Sequence, residues 1–309
     1  MMCNIFIPRV IICALLLSIG CDKGPEKKNV DEKADQMEST SGKIAEAMEE
    51  SIELSKNSSM YVVEQYWNIT QKMIQEIMSR ERENMEKASE LMAESIRKGR
   101  LIHVFGTGGH NIMAAMEIFK RAGGLVPINP IFPPGLSVAD AHPPTERLLG
   151  YAKLALIHYN VQKEDVILII NCNGINSVTI ESALESKKMG LKVIAVTSSE
   201  FSRGIQPGTL SRHPNNKDLC DLGDIVIDSH VPFGDAVVEV RNFDQKVSSI
   251  STMANTFIVQ SLTAMTVDKL VKRGLEPEVW ASANVKGGTE NNRKFREKYR
   301  GKIYHLAFY

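Results

Sequence analysis

Two short polar loops, each set between an apolar run and a helical one, constrain this chain more than anything else in it. The first is Phe105-Gly106-Thr107-Gly108-Gly109-His110 and the second is Asn171-Cys172-Asn173-Gly174-Ile175-Asn176. Leu101-Ile102-His103-Val104-Phe105 leads into the first, and the apolar residues 166–170 lead into the second. A strand that ends in a tight polar turn and feeds a helix is the building unit of an open parallel sheet. Repeated along a chain, it selects a doubly wound α/β fold with helices on both faces. Ligands of such sheets sit outside the carboxyl ends of the strands, where backbone N–H groups and helix N-termini meet them.

The rest of the chain fills in that sheet. Val63, Tyr66, Ile69, Met73 and Ile77 recur at helical spacing, as do Met85, Ala88, Leu91, Met92 and Ile96. They predict two helices ahead of the sheet, with methionines filling core gaps. A helix over residues 112–122 should be closed by Gly123-Gly124. Residues 127–144 are Pro-rich and read as a long ordered loop, and residues 147–158 return to helical spacing. The uninterrupted apolar run at 166–170 suits a parallel strand buried on both faces. A helix over 179–188, stopped by Met189-Gly190, leads to strands at 193–196 and 225–227. Val237-Val238-Glu239-Val240 is the candidate fifth strand. A long helix is expected over 248–271, capped by Gly274. The expectation is a five-stranded, mainly parallel sheet in one domain over residues 60–309.

The chain begins differently. Arg9 supplies a positive charge ahead of the apolar residues 10–19, a run of about ten where a bilayer span needs roughly twenty. Leu17-Ser18-Ile19-Gly20-Cys21 resembles a bacterial lipobox, although Ser18 stands where Leu is usual. Residues 1–21 are therefore expected to be a lipoprotein signal, with Cys21 lipidated and holding the protein to an extracytoplasmic membrane face. A plain secretory signal and a membrane anchor are the alternatives. Residues 22–59 are polar and rich in Lys and Glu, as in a tether. Of five cysteines, Cys172 and Cys220 lie beyond this region and could form one bridge. No CxxC or His/Cys spacing suggests a metal site, and no cofactor is implied. With 37 basic and 37 acidic side chains, there is no electrostatic reason to expect nucleic acid.

Gly106, Thr107, Gly108 and Gly109 let backbone approach a ligand closely, because glycine has no Cβ and tolerates positive φ. The loop is not a dinucleotide fingerprint: Asn111 stands where the third glycine would be, and no acidic residue ends the next strand at the expected separation. A turn that needs glycine for sterics alone is the alternative. In the second loop, Asn171, Asn173 and Asn176 gather three amides around Gly174, more than the helix cap that Asn176 could provide. Acid–base chemistry at these loops would need a side chain able to take up and return a proton. His110, Glu117 and Glu239 are the candidates. For Glu117 the alternative is a pair with Arg121 at i,i+4. His213 and His230 also lie near strand-end loops, where solvated or loop-bonded roles are commoner.

These stretches resemble the sugar isomerase (SIS) domain, the fold of phosphosugar isomerases and of N-acetylmuramic acid 6-phosphate etherase. The resemblance is nearest to a phosphosugar-binding branch with no assigned reaction. It is carried by residues 105–110, 117–130, 190–198, 224–228, 234–236, 246–252 and 282–285. In SIS isomerases the second loop usually reads Ser-x-Ser-Gly-x-Ser/Thr and its hydroxyls hold phosphate. Asn171, Asn173 and Asn176 stand at those positions here, and His110 stands where the first loop often has Ser. The resemblance further implies that Thr197 and Ser198 form a third strand-end contact, and that Val247, Ser248 and Ser249 line the sugar site. It implies a sugar or sugar-phosphate ligand, isomerase- or lyase-type chemistry, and a homodimer with shared sites. A non-catalytic sugar-binding or sensory module and a cytoplasmic phosphosugar isomerase are the competing readings.

Overall fold

The computed structural model describes residues 58–137 and 145–307. The expected signal, Cys21 and nearly all of the tether lie outside the described residues. The chain divides into two units, Met1–Tyr61 and Val62–Tyr309; everything below concerns the second.

Helices α1 (Met60–Arg80) and α2 (Arg82–Arg97) precede β1 (Ile102–Gly106) and α3 (Asn111–Ile118). The chain continues through β2 (Ile128–Pro130), a 3-10 turn (Thr145–Arg147) and α4 (Tyr151–His158). Then come β3 (Val166–Ile170), α5 (Ser177–Lys188), β4 (Lys192–Thr197), α6 (Ser199–Gly204) and β5 (Ile225–Asp228). A hairpin of β6 (Ala236–Val240) and β7 (Phe243–Ser249) leads to α7 (Ser251–Lys272) and α8 (Gly288–Tyr299). The main sheet has the order β2-β1-β3-β4-β5 and every pairing in it is parallel. The order reverses between β1 and β3, so these two strands flank the switch point.

β3 shows why its sequence is apolar throughout. Val166, Leu168 and Ile170 face a core shared with Met73, Ile77, Met92, Ile258 and Leu262 of α1, α2 and α7. Ile167 and Ile169 face a second core with Leu156, Ile180 and Ala183 of α4 and α5. Successive side chains of a strand alternate faces, so covering both faces removes every polar position.

The structure corrects five expectations. The Pro-rich stretch contains the edge strand β2. It pairs Ile102 with Ile128, His103 with Asn129 and Val104 with Pro130. An edge strand needs donors on one side only, so its terminal proline is tolerated. β2, not the Val237–Val240 run, completes the five-stranded sheet. That run pairs antiparallel with β7 in a separate two-stranded sheet, across a turn where Asn242 takes φ +59°. The last helix starts at Ser251 rather than 248. Ser248 has φ +63°, which no helix accepts, and Asp235 provides the N-terminal partners. Its carboxylate accepts from the N–H of Ile250 (3.0 Å), the N–H of Ser251 (2.8 Å) and the hydroxyl of Ser251 (2.7 Å). The helix after β1 ends at Ile118, four residues early, because Phe119 is already extended (φ −87°, ψ 127°). Cys172 and Cys220 are free rather than bridged.

Candidate functional site

The two polar loops meet at the switch point, and hydrogen bonds brace them against each other. Asn171 donates through its amide to the carbonyl of Thr107, and its Oδ1 accepts from the N–H of Gly174 at 2.8 Å. Asn111, in the first turn of α3, does the converse. Its Oδ1 accepts from the N–H of Cys172 at 2.9 Å, and its Nδ2 donates to the carbonyl of Gly108 at 3.1 Å. Asn176 caps α5, accepting from the N–H and hydroxyl of Thr179 at 3.1 and 2.6 Å. The Thr179 hydroxyl proton is thereby used, so the buried Thr107 hydroxyl is the donor in their 2.6 Å contact. N-termini of two helices, α3 and α5, thus converge on one crevice, where they favour negative charge or hydrogen-bond acceptors.

Glycine is required here for close approach. A Cβ on Gly106 would stand 2.3 Å from the carbonyl oxygen of Asn111, and Gly174 (φ +61°) passes so near Thr197 that a Cβ would meet its hydroxyl. Gly108 has φ +84°, and a Cβ there would meet the carboxylate of Glu146. Glu146 lies in the 3-10 turn, where Asn176 Nδ2 donates to its Oε2 at 3.3 Å. Burial raises the Glu146 carboxyl pKa, and the Arg147 charge offsets only part of this. Two amide oxygens, Oδ1 of Asn173 and Oδ1 of Asn255, are buried with no hydrogen-bond partner among the described residues. Asn255, on α7, donates to Asn111 Oδ1 at 3.3 Å.

Gly106, Thr107, Gly108, Gly109, Asn171, Gly174, Asn176 and Thr197 are therefore brought together. His110 is the exposed N-cap residue of α3 at the rim of the loop, and its side chain makes no cap bond. Ser198 is occupied: its hydroxyl donates to the carbonyl of Val231 (2.6 Å) and accepts from the N–H of Phe201 (3.1 Å), capping α6. Glu117 lies seven residues beyond His110, about 10 Å along the helix at 1.5 Å per residue. It is bound by Arg121 (3.0 Å) and Gln260 (3.1 Å). Glu239 is exposed on β6 and pairs with Lys246 at 3.0 Å. Val247, Ser248 and Ser249 belong to β7, where Ser249 accepts from the Tyr66 hydroxyl. A cavity of about 590 Å³ opens at the carboxyl ends of β4 and β5. Lys72, Glu76, Arg80, Ser199, Asp228, His230 and Ile250 are among its lining residues. It borders two of the predicted segments at their next residues, Ser199 after Ser198 and Ile250 after Ser249.

Sequence reasoning missed Glu146, Asn111 and Asn255. Asn111 was visible only as the residue that breaks a dinucleotide fingerprint. Glu146 reaches the crevice, and Asn255 the side chain of Asn111, from distant segments, and nothing local marks them. Among the described residues, Asp218, Cys220 and Asp221 bring potential metal-ligand atoms within 4.8 Å of one another. Asp218 is bound to the buried Arg212, and Asp221 accepts from the N–H of Asp218 at 3.1 Å, so both carboxylates already have partners.

Residues 65–198 match the SIS domain. The chain is 36% identical over 249 residues to a UPF0309 protein of Thermoanaerobacter pseudethanolicus, covering 78% of this chain and 99% of the relative. It is 33% identical over 252 residues to a UPF0309 protein of Shouchella clausii, covering 80% of this chain and all of the relative. Solved structures similar to it include a phosphoheptose isomerase from Francisella tularensis. That match has 15% identity and a TM-score of 0.43, covering 68% of this chain and 99% of that one. The sugar isomerase domain of an RpiR transcription factor from Sphaerobacter thermophilus also matches, with 14% identity and a TM-score of 0.41, covering 70% and 94%. The two UPF0309 relatives are each more than 30% identical and are matched over all or nearly all of their length: the chain belongs to the UPF0309 family of SIS-domain proteins.

Proposed function

We propose that this protein binds a sugar or sugar derivative in the crevice between the Gly106–Gly109 loop and the Asn171–Asn176 loop. One observation carries the reading: the two loops meet at the switch point of a parallel sheet, with the starts of α3 and α5 facing the same space. Ligands of open α/β sheets lie there. Asn173, in the second loop, adds an amide oxygen without a partner among the described residues, which suits a hydroxyl or amide donor. Isothermal titration with matched pairs, N-acetylglucosamine against its 6-phosphate and glucose against its 6-phosphate, tests the reading. Saturable binding of at least one sugar is expected. No binding by any of them would remove it.

Isomerase- or lyase-type proton transfer falls, in this proposal, to His110 at the rim and to Glu146, whose carboxylate lies against the glycine loop. A burial-raised carboxyl suits general acid–base work. The alternative, a sugar-binding module without turnover, is separated by incubating the protein with the same sugars and following product by NMR. The homodimer expected from the SIS resemblance is favoured by an apolar stripe on α1, where Val63, Trp67 and Met78 are more than half exposed. Lipid anchoring through Cys21 on the extracytoplasmic side belongs to the same proposal. Cys21→Ala should leave the precursor unprocessed and without lipid label, whereas unchanged processing would overturn the anchor.

A further inference from the structure

The crevice contains a group that its helix termini do not explain. Helix N-termini and a glycine loop favour an anion, and an anion from the chain's own sequence is already there. The Glu146 carboxylate lies against Gly108, so close that a Cβ on the glycine would meet it. The Asn176 amide donates to the same oxygen, Oε2, at 3.3 Å. The side chain is only partly exposed. Residues 106–110 and 171–176 contain no Lys or Arg, which leaves the exposed His110 at the rim as the one residue of these loops able to carry a countercharge for a second anion.

We propose that Glu146 is the specificity-determining residue of the crevice. Its carboxylate holds the place where a ligand anion would meet the glycine loop, so the site favours a ligand group that donates hydrogen bonds over a phosphate dianion. A sugar hydroxyl or an N-acetyl amide is such a group. The inference rests on the sugar-binding reading above and deepens it. A phosphate monoester carries close to two negative charges near neutral pH. Bringing it to Gly108 means either displacing Glu146 or placing like charges in contact in a half-buried site, where they repel strongly. A hydroxyl or amide donor has the opposite relation, because an ionised carboxylate is an acceptor only. Burial raises the Glu146 carboxyl pKa, as expected for a carboxylate that lacks a full countercharge. Asn171, Asn173 and Asn176, standing where SIS isomerases usually carry hydroxyls, tune the same loops in the same direction.

The test uses inorganic phosphate as the anion probe and N-acetylglucosamine as the neutral one. Both are titrated calorimetrically at pH 7.5 into the full chain and into Glu146→Gln and Glu146→Ala. Glu146→Gln keeps the shape and removes the charge, so it decides the matter should Glu146→Ala fail to fold. Phosphate should bind at least ten-fold tighter to the variants than to the parent chain, and N-acetylglucosamine should bind them more weakly. Adding Gly108→Val to Glu146→Gln should abolish the gained phosphate affinity. Unchanged or absent phosphate binding in Glu146→Gln overturns the proposal. So does a gain that survives Gly108→Val, since the anion would then bind elsewhere. Sugar binding to the parent chain reports separately on the sugar-binding reading, so the two can fail independently.

Discussion

The two ends of the sheet carry buried polar clusters of opposite character. At the amino end, His103 of β1 is fully buried. Its Nε2 meets Asp165 at 2.9 Å and its Nδ1 meets the Asn129 amide at 3.1 Å. Asn129 also donates to the carbonyl of Tyr159 (2.9 Å) and accepts from the N–H of Tyr304 (3.2 Å). Asp165 accepts from the N–H of Gln162 at 3.2 Å, and Arg100 lies 3.8 Å away. Each ring and amide group in that cluster has a partner within the protein. At the carboxyl end, among the described residues, Asn173 and Asn255 keep unpaired oxygens, and Glu146 is held by one long bond beside positive-φ glycines. A closed network ties distant segments together and offers a ligand nothing, whereas an incomplete one retains bonding capacity. His103 and Asp165 would pass for a catalytic pair by residue type alone. Their saturation marks them as structural.

That contrast can be broken experimentally, most forcefully at the closed end. His103→Ala takes from the buried Asp165 carboxylate its ring partner, leaving it the Gln162 N–H and Arg100, and should cost roughly 3 kcal/mol of stability, read as a shift in the urea midpoint. Sugar affinity of the folded fraction should stay unchanged; a selective loss of binding would assign the amino-end cluster a functional role. At the open end the pattern should invert. Gly108→Val puts a branched side chain against Glu146 and should weaken sugar binding at least ten-fold, about 1.4 kcal/mol, with most of the fold retained. Undiminished affinity would place the ligand elsewhere.

A smaller effect is expected from Glu146→Gln on stability. The folded carboxyl pKa is raised, so its contribution is complete below the unfolded pKa, near 4.5, and is lost as pH rises through the folded value. Gln mimics the neutral form. The variant should therefore melt slightly higher than the parent at pH 7, and the gap should close as pH falls below 4.5. A higher-melting parent at pH 7 would contradict the burial argument. The smallest effect concerns His305, packed among Phe119, Phe132, Tyr159 and Tyr304. Burial lowers its pKa from 6.5, so the stability it contributes is present above that value and is lost as pH falls below it. The melting temperature should fall more steeply between pH 7 and pH 5 in the parent than in His305→Phe; equal slopes would show that this ring does not titrate into stability.

Both corners of the crevice are legible in the amino-acid sequence. Strand, polar turn and helix are local patterns, and Gly106, Gly108, Asn171 and Asn176 lie inside them. The helix caps at Asn176 and Gly190 are legible for the same reason, since each depends on one residue and its near neighbours. β2 is hidden because three residues between prolines have no periodicity of their own. The β6–β7 hairpin is misassigned because an apolar run says that a strand is buried without saying which strand it pairs with. The roles expected of Ser198, Glu117 and Glu239 rest on a family resemblance. In the fold Ser198 is spent on capping α6, and the two glutamates are bound by Arg121, Gln260 and Lys246.

Local patterning along the chain is enough to specify the α/β class and the two corner loops. These follow from hydrophobic periodicity and backbone chemistry, which act over a few residues. It takes the packed fold to bring Glu146 from a remote 3-10 turn onto Gly108. The same packing sets Asn255 of α7 behind Asn111, and closes His103 and Asp165, 62 residues apart, on each other. Those contacts join segments whose separation along the chain carries no local signal, so they exist only once the sheet and its helices have come together.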